Sequence, residues 1–192
     1  MNAARRQQED AMSGKVSRVG WVLLILVVVL AAKAAQSLVA FKNQDTQMAM
    51  FSTVVDDSLG LANLPSVGTP PYIRGKLVTV DVEKRTVDSW TYPKLSESLR
   101  AASPDEVGTA ALITWGARRV GTYVDRETNR ETGEAFVSTA ELALVDVVER
   151  RVVGRAAFEG DQPAGGLTRE GGYRSERPMF KIVAYLEQLP RK

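Results

Sequence analysis

The sequence predicts an α+β domain carried behind one N-terminal transmembrane helix, and three observations lead there. An uncharged apolar run begins at Val19, the period of apolar residues changes to that of β-structure from Tyr72 onward, and a helical stripe returns near the C-terminus. The expected domain is a mainly antiparallel sheet of five or six strands with one or two helices packed on one face. At 192 residues there is room for one such domain and a tail.

Residues 1–18 read as a cytoplasmic basic tail, holding Arg5, Arg6, Lys15 and Arg18 against Glu9 and Asp10. Residues 19–41 follow as the anchor. Val19 to Ala32 is 14 residues without a charge. Because a spanning helix needs about 20 mostly apolar residues, the span extends past Lys33, whose ammonium can snorkel to the interface. Trp21 stands where an interfacial aromatic belongs. The basic tail keeps the N-terminus in the cytoplasm and sends the C-terminal part across the bilayer. Two other readings compete. A cleaved signal peptide would use Ala32-Lys33-Ala34 as its cut, releasing a secreted module. A buried helix of a soluble core would need a domain large enough to cover Leu23 to Leu30, which has no polar face.

Residues 42–71 read as a stalk. Met48, Phe51, Val55 and Leu59 are spaced as one face of a helix over 45–61, able to pack on its own domain or to self-associate. Pro65, Gly68, Pro70 and Pro71 then mark the boundary of an extracytoplasmic domain at 72–192. Within it, Lys76–Val82 and Thr86–Tyr92 form an expected hairpin around a polar turn. Lys94–Ala102 reads as a short helix. Ser103-Pro104-Asp105-Glu106 carries a capping-box pattern and leads into a strand from Thr109 to Trp115. Gly116 breaks that strand, and Arg118–Val124 resumes it. A second hairpin pairs Ala135–Val147 with Arg151–Phe158. Leu77-x-x-Val80-Asp81-Val82 repeats as Leu142-x-x-Val145-Asp146-Val147, a generic hairpin solution or a duplication. Pro178 opens a last helix to Leu189, with Phe180, Val183, Ala184 and Leu186 as its apolar stripe.

Composition narrows the chemistry. The chain has no cysteine and no histidine, which removes thiolate nucleophiles, Cys-ligated metals and every pairing of a nucleophile with imidazole. Residues 42–192 hold 20 basic and 21 acidic side chains, a net charge of −1, too little for a nucleic-acid-binding face. No nucleotide, cofactor or metal motif is present. Asp125, Glu127 and Asn129 have the opening spacing of an EF-hand loop, but Arg130 stands where its glycine belongs and Phe136 where its glutamate belongs.

The remaining candidates are few. The Gly-rich stretch Gly160–Arg177 carries Arg169, Tyr173, Arg174 and Arg177, residue types that hold phosphate or carboxylate groups and dominate recognition surfaces. Trp90, Tyr92 and Trp115 are either core or a stacking surface. The expected function is a non-catalytic interaction or accessory domain, tethered to the bilayer through residues 19–41, binding another envelope protein or itself through 42–61. The competing class is a carboxylate-dependent hydrolase using Asp81, Asp146 or Glu106 as acid and base.

Overall fold

The computed structural model describes residues 48–67, 70–125, 127–163 and 172–192. The basic tail, the anchor segment 19–41 and Arg169 lie outside the described residues. Among the described residues no helix is long and apolar enough to cross a membrane.

Helix α1 spans Ser52–Leu61. Phe51 and Val55 on its apolar face are fully buried, with Leu61 at the rim of the same core and Met48 and Leu59 packed against it. The stripe read from the sequence is therefore buried in this chain's own core. The compact unit begins at Met48, ahead of the boundary expected at Tyr72. Beyond the helix, Val67 N–H donates to Val152 O at 3.0 Å, so the connector lies along a sheet edge.

The sheet has six strands: β1 (Lys76–Asp81), β2 (Thr86–Val87), β3 (Val107–Val124), β4 (Glu131–Asp146), β5 (Arg151–Glu159) and β6 (Tyr173–Arg174). The order is β2-β1-β3-β4-β5, with β6 on β4. Three pairings are antiparallel, but β1–β3 and β4–β6 are parallel, so the sheet is mixed. Both expected hairpins form. Each closes through an aspartate whose Oδ1 accepts a backbone amide three residues on, Lys84 for Asp81 and Glu149 for Asp146. Each turn then ends on an arginine at positive φ, Arg85 and Arg150. The sequence echo thus reports one turn geometry used twice.

Four expectations about local elements are corrected. The second arm of the first hairpin is only Thr86–Val87, because Asp88 turns the chain. No helix forms over 94–102; a 3-10 turn at Tyr92–Lys94 is followed by Leu99–Ala101, whose backbone bonds both polar groups of Leu77. Edge pairing with β1 satisfies that segment better than a short isolated helix would. Gly116 does not break its strand. β3 is continuous for 18 residues, and the glycine leaves room opposite Thr139, whose Oγ1 would stand 2.7 Å from a Cβ here. Ser103 makes no side-chain cap; Glu106 instead accepts from Ala102 N at 2.6 Å.

The two helices contact opposite faces of the sheet, not one. Arg155 and Phe158 of β5 register with Ala143 and Ala140, so their side chains leave opposite faces. Arg155 Nη2 donates to Ala62 O and Leu64 O at the end of α1 (2.6 and 3.1 Å). Phe158 packs edge-on to Tyr185 at 5.5 Å, in helix α2 (Met179–Gln188). Helix α2 buries Ile182, Val183 and Leu186, which corrects the expected apolar stripe: Ala184 is exposed and Phe180 is 64% exposed, and Ile182 takes the inward position instead. Past Gly116, β3 and β4 extend as a largely exposed arm. Its tip is closed by Asp125, whose Oδ1 accepts from Glu127 N, Thr128 N and Thr128 Oγ1.

Candidate functional site

One carboxylate builds the most distinctive side-chain cluster. Asp88 follows β2 and is fully buried. Its Oδ2 accepts Thr91 N at 2.8 Å and the Thr91 hydroxyl, while Oδ1 accepts the indole N–H of Trp115 at 3.2 Å. A buried carboxylate needs several donors to offset its lost hydration, and here those donors lock the turn 88–91. The locked turn leaves Trp90 facing outward, 46% exposed.

Arg177 completes the cluster from the other end of the chain. Its guanidinium carbon lies 5.1 Å from the ring centre of Trp90 and 5.0 Å from that of Trp115, within the range of cation–π attraction. Its Nη1 is buried, with no hydrogen-bond partner among the described residues. The segment before it is fixed on β4. Ser175 N donates to Phe136 O at 3.0 Å, Ser138 N donates to Ser175 Oγ at 2.8 Å, and Ser138 Oγ donates to Ser175 O at 2.6 Å.

Of the other predicted residues, Tyr173 and Arg174 form β6, and Arg174 Nη2 donates to Gly116 O at 3.3 Å. Only Arg177 of the described set joins the tryptophans. Sequence reading found the arginine and the indoles separately, but no spacing signal linked residues so far apart. Of the cluster only Trp90 is well exposed, so it offers one indole ring beside a guanidinium, with Asp88, Thr91 and Trp115 buried behind it.

The acid–base candidates stand elsewhere. Asp81 and Asp146 border β3 at Ile113 and Thr109 respectively, from opposite sides. Two strand spacings and four residues of rise separate them by about 16 Å. Tyr72 Oη and Arg74 Nε donate to Asp146 Oδ2 at 2.7 and 2.8 Å, and Arg151 Nη2 reaches Tyr72 Oη at 3.2 Å. Burial pushes the Asp146 carboxyl up, but the Glu149 amide, Tyr72 and Arg74 together hold it below the usual range. Glu106 is also held low, first by the Ala102 amide and then by Lys76. A general acid working near neutral pH needs the opposite shift.

A groove of about 520 Å³ runs beside the end of α1, lined by Leu112, Thr114, Glu141, Ala143, Arg155 and Ala157 among others. No motif in the sequence marks this groove. Comparison of the chain with protein-family models, with curated proteins and with solved structures yields no match.

Proposed function

We propose that this is a single-pass membrane protein displaying a small non-catalytic interaction domain on the extracytoplasmic side. The uncharged run Val19–Ala32, with basic residues ahead of it, supports the anchor and its direction. The choice of a binding role over a hydrolase rests on one observation: Asp81, Glu106 and Asp146 each hold a backbone amide of a neighbouring turn. Self-association through 42–61 is the weaker form of the reading, because Phe51 and Val55 are buried within the domain. That leaves the surface around Trp90 as the favoured contact region.

Alkaline carbonate extraction of membranes, followed by protease digestion of intact cells and N-terminal sequencing, tests the proposal. The expected result is a chain that resists extraction, begins near Met1 and loses its domain to external protease. A mature start near Ala35 with release into solution would replace the anchor by a signal peptide.

A further inference from the structure

Strand β5 closes one side of the sheet, and part of its outer edge is bare. Gly160 N donates to Ser138 O at 2.7 Å, and the antiparallel register carries that pairing on to Phe158 with Ala140 and Ala156 with Leu142. Alternate residues bond to β4, so the N–H and C=O groups of Arg155, Ala157 and Glu159 point away from it. Val67 N covers this edge at Val152 O, and Lys181 Nζ covers Glu159 O at 2.9 Å. Between those two points the outward backbone groups of Arg155 and Ala157 have no partner among the described residues. Free donors and acceptors on an edge strand are a template for one more strand.

The groove beside α1 lies just inside that edge, and Ala157 lines it. Glu141 stands next to Ala157 on β4, with Thr114 of β3 on its other side. All three residues are exposed, and the Glu141 carboxylate has no hydrogen bond or ion pair among the described residues. Arg155, the cation that lines the groove, is turned aside. Its Nη2 donates to Ala62 O and Leu64 O, at the negative end of α1. Neighbouring acids are matched, Glu159 by Arg118 and Asp161 by Lys181, both at 3.1 Å. Glu141 is left without a counter-ion.

The sheet itself shows how such a charge is met. Arg118 of β3 and Glu159 of β5 pair across the intervening strand β4, so one basic side chain spans two strand spacings, about 10 Å. A strand added beside β5 would stand in the same relation to Glu141, with only the methyl of Ala157 between them. We propose that the β5 edge accepts an extended segment of a partner protein, and that a lysine or arginine registered on Ala157 crosses it to reach Glu141. Backbone pairing supplies the affinity and Glu141 the selectivity. The site opens on the face opposite Trp115, separate from the Trp90 surface and independent of the anchor.

The full chain in non-ionic detergent micelles is titrated into fluorescein-labelled Thr-Val-Lys-Val-Thr, with empty micelles as the blank, and anisotropy is read. Saturable binding is expected. Exchanging the peptide's lysine for glutamine, or making Glu141→Gln in the protein, should each weaken binding roughly tenfold. The two changes together should weaken it no further than either alone. N-methylation of the central peptide residues keeps every side chain, removes the donors and should abolish binding. Glu141→Lys should reverse the preference toward a peptide carrying glutamate in place of lysine. No saturable binding above the blank, binding that survives N-methylation, or binding indifferent to the peptide's charge or to Glu141→Gln overturns the proposal. The peptide exchanges leave the protein untouched, so they decide the matter even where a variant at 141 fails to fold.

Discussion

Tyr72 donates a 2.7 Å hydrogen bond to Asp146, joining the segment that leads into β1 to the last residue of β4. The carboxylate has no exposed surface, so its donors replace water outright. Tyr72→Phe removes one donor and also the acceptor for Arg151. A hydrogen bond to a charged group contributes about 1.5–3 kcal/mol, and urea unfolding of the variant should show a loss in that range. An unchanged midpoint would mean that water or Arg74 replaces the phenol.

The same carboxylate predicts a pH dependence. Its pKa is lowered in the folded protein, against about 3.9 in an unfolded chain. The folded state therefore binds this proton less readily, and the stabilisation is complete above that value. It is lost as pH falls through the lower folded pKa. Asp146→Asn should be less stable than the parent at neutral pH, with a smaller further loss in acid. Denaturant midpoints measured from neutral pH down to about pH 3, bracketing the unfolded pKa, check this; parallel curves for parent and variant would refute it.

Phe51 tests the limits of the folded unit. A phenylalanine on a free stalk could be truncated at little cost, whereas this one has no exposed surface and packs on Tyr92. Phe51→Ala should destabilise the domain by about 3–5 kcal/mol, read as a lowered thermal midpoint.

Two glycines of β3 should differ in their tolerance of a side chain. A Cβ on Gly108 would press into the backbone carbonyl of Arg74, while one on Gly121 would meet nothing within 4 Å. Gly108→Ala is expected to cost about 1–3 kcal/mol as overpacking. Gly121→Ala should stay within about 0.5 kcal/mol of the parent. Comparable losses for both would locate the effect in strand propensity instead of space.

Local features were legible in the sequence wherever neighbouring residues decide them. The turns at Asp81 and Asp146, the strands that lead into them and the helix after Pro178 follow from side-chain chemistry within a few positions. Features decided by distant partners were not. Gly116 resembles a strand break until Thr139 is placed opposite it. Leu99–Ala101 has helical composition until Leu77 supplies its hydrogen bonds. The parallel pairings leave no local signature at all. Arg177 could be singled out as a recognition residue, but its position beside Trp90 and Trp115 depends on Ser138 and Ser175 fastening the intervening segment.

The parallel pairing of β1 with β3 also orders the events of folding. Strands β3, β4 and β5 are consecutive and antiparallel, so each can zip onto the last from a nearby turn. Lys76, in contrast, finds Val107 only after the whole intervening loop has been closed, and loop closure must precede the contacts that offset its entropy. The topology therefore predicts nucleation in the meander and late docking of β1. Substitutions in β1 should mainly accelerate unfolding, and those at the β4–β5 turn should mainly slow folding.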